Sequence, residues 1–93
     1  MMVVFILENV PLRLRGELSR WFLEPKAGVF VGNVSAMVRE KIWEMVCKQV
    51  KEGGCLMIYR SDNEQGYQIL SSGQTLRAIE DFEGLLLIRV PQI

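Results

Sequence analysis

The sequence of 93 residues contains no histidine, and this absence excludes several kinds of chemistry. Without imidazole, the chain has no histidine metal ligand, no histidine general base and no histidine pH switch. Net charge is absent as well, because eleven basic residues balance eleven acidic ones. A phosphate-binding site in such a chain must come from local clustering of arginine or lysine, since composition supplies no basic surplus.

Cysteines and long apolar runs are scarce. Cys47 and Cys55 are too far apart for a C-x-x-C motif, and each stands among apolar residues. We therefore expect two buried free thiols in a cytoplasmic protein. The apolar run at residues 1–7 is too short to span a membrane and lacks the charged start of a signal peptide. We expect no membrane partner.

Apolar residues nevertheless make up 49% of the chain, a large share for one small domain over residues 1–93. Their spacing predicts the order β-α-β(β)-α-β-β-β, with helices that begin near Pro11 and Ser35. Two helices cover only one face of such a sheet. We therefore expect an α+β, ferredoxin-like βαββαβ domain with an extra C-terminal strand, whose other face is covered by a second copy in a homodimer.

Arginines gather at the start of the first predicted helix, where the helix dipole favours carboxylates instead. Arg13 and Arg15 fall in the first turn, and Gly16 is predicted to face away from the apolar stripe. An exposed glycine inside a helix costs about 1 kcal/mol relative to alanine, and is easier to understand where another backbone comes close. The cluster indicates a phosphate site. The alternative is that Arg13 pairs with Glu17 while Arg15 extends to solvent.

Two further residue types have competing interpretations. Glu8 ends the first predicted strand, where a carboxylate could hold a divalent cation with help from a second copy. The alternative is that Glu8 or Asn9 caps the next helix. Trp21 and Trp43 stand at helical spacing among aliphatic residues, so we expect both in the core.

Several segments together resemble CRISPR-associated protein two, in its I-E subtype. The resemblance rests on "ENVP", "RLRGEL", "GVFVG", "VSAMVRE" and "IWE", and extends to "GLLLIRV" near the end of the chain. It implies a ferredoxin-like homodimer that works in spacer acquisition. In this subtype the dimer bridges two dimers of the CRISPR integrase and holds double-stranded protospacer DNA by its backbone.

The resemblance also implies roles for individual residues. Duplex contacts fall on Arg13, Arg15 and Arg77, with Gly16 beside the first two. Basic residues of better-known members are replaced here by Met37 and Leu76, so we expect fewer phosphate contacts per subunit. Other subtypes carry an aspartate at the position of Glu8 and are described as Mg²⁺-dependent nucleases. Glutamate moves that carboxylate by one methylene.

Three functions stay open at this point. The favoured one is a non-catalytic, DNA-binding scaffold that requires no cofactor. The alternative is an Mg²⁺-dependent endonuclease, acting on RNA or DNA, that uses Glu8 across the dimer axis. A third is a ferredoxin-like regulatory domain for a small ligand, to which Gly28 and Gly32 would be suited.

The end of the chain, residues 84–93, is predicted to bind the integrase. Its last strand is apolar on both faces, and exposed apolar edge strands pair readily with other chains. Acidic residues just upstream, in a predicted loop, could steer a basic partner. The predicted docking residues are Glu80, Asp81, Glu83, Leu85, Leu87, Arg89 and Val90. The alternative is that this strand completes the sheet of the protein's own dimer.

Overall fold

The computed structural model describes residues 1–50, 52–73, 78–82 and 85–89, the last two stretches by their backbone. Five strands form one antiparallel sheet in the spatial order β2-β3-β1-β4-β5. These strands are β1 (Met2–Glu8), β2 (Leu23–Lys26), β3 (Val29–Asn33), β4 (Gly54–Arg60) and β5 (Tyr67–Gly73). With its two helices, this small α+β domain is compatible with the predicted ferredoxin-like fold.

The helices begin where proline and serine predict, with one shift. Helix α1 spans Leu12–Leu18, and Pro11 is its N-cap rather than its first residue. Pro11 itself offers no side-chain hydrogen bond to cap α1. Helix α2 spans Ala36–Gln49, and the Ser35 hydroxyl accepts the Val38 N–H at 3.3 Å. Neither helix is long and apolar enough to cross a bilayer, as judged over the described residues.

Both helices pack on the same face of the sheet. Along β1, residues alternate between this face and the opposite one, and Val3, Phe5 and Leu7 are buried against the helices. The helices and the C-cap residue of α2, Val50, contribute a matching set of buried residues; those on the helices are Leu14, Leu18, Ile42 and Val46. Burial of each such side chain contributes about 1.5–3 kcal/mol relative to exposure. One core between the sheet and the two helices therefore holds the domain together.

The face of the sheet opposite the helices is also apolar. Cross-strand pairing brings together its residues, which are Val4, Ile6, Val29, Val31, Leu56, Ile58 and Ile69. Leu56 and Ile69 are buried, whereas Val4 and Val31 are half-buried. None of the seven belongs to the core beneath the helices. We call these seven residues the open sheet face.

Two predictions of burial are wrong. Helix α1 ends at Leu18, so Trp21 leaves the helical stripe and is 57% exposed. Phe22 enters the core instead, where its ring meets that of Phe5 edge to face at 5.3 Å. Cys47 is exposed on α2, and only the Cys55 thiol is buried as expected. Burial raises the pKa of Cys55 to about 12, with a smaller effect from Cys47.

The two edges of the sheet differ. Strand β2 has four residues, contains Pro25, and its register with β3 shifts between Leu23 and Lys26. Strand β5 has seven residues without proline or charge, all in continuous register with β4. Proline, charge and irregularity protect an edge against further pairing. Over the described residues, β5 is therefore the edge that is open to another strand.

A separate hairpin follows β5. Its strands are β6 (Ala78–Phe82) and β7 (Leu85–Arg89), which pair antiparallel with each other. Strand β7 confirms the predicted last strand over Leu85–Arg89, and Val90 lies outside the described residues. Strand β6 replaces part of the predicted acidic loop. The sequence did contain a pattern that indicates this hairpin. Only Glu83 and Gly84 separate the paired residues Phe82 and Leu85, and a two-residue connection with glycine is typical of hairpins.

Candidate nucleic-acid interface

Arg13 is the more exposed of the two arginines on α1, with 85% of its side chain accessible. Its Nε lies 3.5 Å from Glu17 Oε1, one helical turn away, which confirms the predicted pair. Glu17 also accepts a hydrogen bond from the Gln49 side chain of α2 at 3.3 Å. An exposed pair of this kind contributes about 0.3–0.5 kcal/mol. Arg13 is thus held only loosely.

Arg15 has a closer partner. Its Nη2 donates to Glu24 Oε2 on β2 at 2.7 Å, and the same oxygen accepts the Gly28 N–H at 2.9 Å. The hydrogen bond from Gly28 and the contact with Arg15 lower the pKa of Glu24 from its ordinary value. Arg15 therefore ties α1 to the β2–β3 turn, and the prediction that it merely extends to solvent is wrong.

One polar atom of Arg15 stays unsatisfied. Its Nε is buried and finds no hydrogen-bond acceptor among the described residues. An unsatisfied buried donor costs about 1–3 kcal/mol. The guanidinium thus has a close acceptor at Nη2 and none at Nε, so its position next to Glu24 satisfies only part of its hydrogen-bonding capacity.

Two glycines of the β2–β3 hairpin, Gly28 in its turn and Gly32 on β3, are closely packed. Gly28 has φ +83°, its carbonyl accepts the Leu7 N–H at 2.7 Å, and a Cβ there would lie 2.7 Å from the Leu7 oxygen. A Cβ on Gly32 would overlap the Phe22 ring. Both glycines therefore accommodate neighbours within the chain, and they no longer favour a small-ligand pocket.

Gly16 directly follows Arg15 on α1 and faces solvent, as predicted. A Cβ built on it meets no heavy atom within 4 Å of the surrounding chain. The backbone of α1 is consequently accessible from outside at this point. Together with exposed Arg13, this surface has room for a phosphodiester backbone.

Glu8 is the last residue of β1 and is half-buried. It pairs in register with Gly54, and a Cβ on the preceding Gly53 would clash with the carbonyl oxygens of Glu8 and Asn9. Within the described residues, no group of three or more acidic or thiol side chains could hold a metal ion. A divalent cation at Glu8 would therefore require oxygen ligands from elsewhere, as the hypothesis of a shared dimer site assumes.

Comparison with known families identifies the chain. The family model described as CRISPR-associated protein (Cas_Cas2CT1978) matches residues 2–87. The chain belongs to this family. The match covers both helices and the whole five-stranded sheet. The predicted resemblance is confirmed at the level of a CRISPR-associated, Cas2-type protein.

The other residues predicted for this Cas2-type protein fall in two groups. Met37 is 67% exposed in the first turn of α2. In the hairpin, the backbone places Glu80 and Asp81 on β6, opposite Leu87 and Leu86 of β7. Leu85 and Arg89 are the end residues of β7. Leu76, Arg77, Glu83 and Val90 lie outside the described residues.

Glu24 is the functional candidate that sequence reasoning missed. It lies nine residues from Arg15, which is not a helical spacing, and it follows a turn. Local periodicity therefore gives no sign that the two side chains meet. Only the fold of the β2–β3 hairpin against α1 brings the carboxylate to the arginine.

Proposed function

We propose that this protein is the I-E-type scaffold subunit of CRISPR adaptation. In this role a homodimer bridges two integrase dimers and binds protospacer duplex DNA through its phosphate backbone. Membership of the Cas2-type family supports the CRISPR-associated role. The observation that carries the DNA-binding role is an exposed arginine beside an open stretch of helix backbone, Arg13 next to Gly16.

Duplex binding at this surface is independent of base sequence. Arginine guanidinium groups and accessible helix backbone recognise phosphate, which is the same in every duplex. Arg13 and Arg15 supply cations on α1, and Arg77 is a further proposed contact. Since Glu17 and Glu24 accompany the first two arginines, each subunit binds weakly alone. Useful affinity then requires both subunits of the dimer and the integrase on one duplex.

Dimerisation is supported by the open sheet face. Its central residues, including Val4 and Val31, are apolar, and no helix of the described chain packs on them. A second copy that covered this face would remove apolar surface from water. The open edge at β5 offers further backbone pairing to the same partner.

The β6–β7 hairpin and the end of the chain are the proposed integrase-binding element. A two-stranded hairpin is marginally stable alone, so it needs a surface to pack on. Acidic positions on β6 and apolar positions on β7 would serve a partner surface that is basic and apolar. The proposed docking residues remain Glu80, Asp81, Glu83, Leu85, Leu87, Arg89 and Val90.

The experiment that tests duplex binding removes both arginines. In the double variant Arg13→Ala, Arg15→Ala, affinity should fall equally for unrelated duplexes, since only phosphate contacts are lost. The salt dependence measured between about 50 mM and 200 mM should flatten by about 0.9 per lost contact. The double variant Lys41→Ala, Lys48→Ala removes the same charge from α2 and should keep most of the affinity. An unchanged slope in the arginine variant, or loss for one sequence only, would contradict the proposal.

A metal-dependent endonuclease is the second candidate, favoured by the position of Glu8 at the end of β1. Glu8→Gln removes the charge and keeps the shape of the side chain. Under the scaffold proposal, spacer integration by the complex with integrase should continue unchanged. If integration stopped while the dimer stayed folded, and an Mg²⁺-dependent cleavage of RNA or DNA disappeared with it, the endonuclease would be the better account.

A further inference from the structure

We propose that Glu24 competes with the DNA backbone for Arg15, so that a phosphate reaches this arginine only by displacing a carboxylate of the same chain. The inference rests on the proposed duplex binding and assigns to Glu24 the control of its affinity. Glu24 is not a DNA contact in this account. It acts through Arg15 alone.

The geometry of the pair resembles that of a phosphate contact. Glu24 Oε2 lies 2.7 Å from Arg15 Nη2, a distance typical of a charge-assisted hydrogen bond. A carboxylate and a phosphate offer the same kind of anionic oxygen to a guanidinium. The Arg15 nitrogen that a duplex would use is thus already occupied by an equivalent acceptor.

Exchange is feasible because both partners are partly exposed. The side chain of Arg15 is 34% accessible and that of Glu24 is 24% accessible, so an incoming phosphate can reach the pair. After exchange Glu24 would keep its hydrogen bond from the Gly28 N–H, now 2.9 Å long, which leaves the turn in place. Arg15 would gain freedom to satisfy its Nε, which has no acceptor within the described part of the chain.

Arg13 provides the internal comparison. Its distance to Glu17 is 3.5 Å and its side chain is 85% accessible, so a phosphate can bind it without breaking a short contact. Glu17 and Glu24 are therefore unequal competitors, although each is the carboxylate partner of an arginine on α1. Neutralising Glu24 should matter more than neutralising Glu17.

The test measures the dissociation constant of the full-length protein for random-sequence duplex DNA at low salt. Glu24→Gln keeps an acceptor for Gly28 and removes the charge that holds Arg15. We expect its affinity to rise about two- to fivefold, the range of a partly exposed ion pair. Glu17→Gln should give a smaller gain. Glu44→Gln, on an exposed α2 residue without an ion pair to the described chain, reports the effect of charge alone.

A double-mutant cycle decides whether the gain passes through Arg15. In the Arg15→Gln background, Glu24→Gln should add no more than Glu44→Gln does. A gain that survives loss of Arg15, or an affinity that stays unchanged or falls in Glu24→Gln, would overturn the inference. Thermal unfolding checks that Glu24→Gln is folded. If it is not, Glu24→Asp takes its place. This variant withdraws the carboxylate by one methylene and should also raise the affinity for duplex DNA. Failure of the wild-type protein to bind duplex would instead refute the proposed function, and the inference with it.

Discussion

At the residue scale, each of the two arginines on α1, Arg13 in its first turn and Arg15 in its last, is accompanied by a carboxylate from the same chain. The helix dipole disfavours the cation of Arg13 in the first turn by about 0.3–1 kcal/mol, whereas Arg15 in the last turn is not disfavoured. An exposed or half-exposed ion pair offsets about the same amount. The arginines are therefore tolerated even without DNA. Because the partner of Arg15 lies on β2, the pair also fastens the β2–β3 hairpin to α1.

The Glu24 contacts predict a dependence of stability on pH. Its pKa is lowered in the folded protein, chiefly by the Gly28 N–H and then by Arg15, so the folded state favours the charged form. The resulting stabilisation is complete above the ordinary pKa of a glutamate and is lost as pH falls through the lowered value. Urea unfolding at a series of acidic pH values should therefore show a weaker decline for Glu24→Gln than for wild type.

Glu44→Gln is the control for that experiment, because the Glu44 side chain has no hydrogen bond or ion pair with the described residues. It should follow the wild-type decline. If Glu24→Gln also followed it, the paired carboxylate would make no contribution to acid stability.

Two glycines should respond to alanine in opposite ways. At Gly53 a Cβ would strike the carbonyl oxygens of Glu8 and Asn9, which are backbone atoms and cannot move without disturbing the end of β1. We expect Gly53→Ala to reduce the free energy of unfolding by about 2 kcal/mol or more. At Gly16 a Cβ meets open space in a helix, so Gly16→Ala should raise it by up to about 1 kcal/mol.

Denaturant unfolding measures both changes, and duplex binding adds a second result for Gly16. If DNA backbone approaches α1 there, Gly16→Ala should stabilise the protein and weaken duplex binding at once. A variant that is more stable and binds equally well would remove Gly16 from the interface.

At the scale of elements, the sequence was sufficient to predict each helix or strand that a single local pattern specifies. The apolar run of β1, the serine cap of α2 and the short β2–β3 hairpin all follow from local signals. The sequence was insufficient to predict features that depend on a contact between residues of different elements. The early end of α1, which leaves Trp21 exposed, depends on Phe22 packing against Phe5. The pairing of Arg15 with Glu24 likewise exists only once the hairpin lies beside α1.

The β6–β7 hairpin leads to a prediction for a truncated protein. Deletion of residues 84–93 removes β7 and leaves β6 without its partner strand. We expect the truncated protein to lose integrase binding while it remains a dimer, because the dimer contacts are proposed on the main sheet. Light scattering measures the dimer, and surface-immobilised integrase measures the binding. Monomers or aggregates would support a role of this strand inside the dimer, and undiminished integrase affinity would contradict docking.

At the scale of the whole molecule, the two faces of the sheet are unequally covered. The helices bury one face, and no helix of the described residues packs on the open sheet face, although Leu56 and Ile69 there are buried within the chain. Val4 and Ile6 on the central strand are only half-buried, so they leave apolar surface that a further layer would cover. The edges are unequal as well, with β2 protected and β5 open. Both asymmetries favour this face and the β5 edge as the contacts of the proposed homodimer.

A charge on the open sheet face should separate the subunits. Val31 is half-buried on β3 and pairs across the sheet with Val4, so glutamate at this position would bring an unpaired carboxylate into the proposed interface. Burial of an unpaired charge costs several kcal/mol, which exceeds what a small dimer interface can absorb. We expect Val31→Glu to be monomeric at micromolar concentration by light scattering, with its helices intact by circular dichroism. Met37→Glu makes a comparable apolar-to-acidic change on exposed α2 and should stay dimeric. If both variants remained dimers, the subunits would meet through the β5 edge or the hairpin. If the wild-type protein itself were a monomer, the proposal of a homodimer would be contradicted.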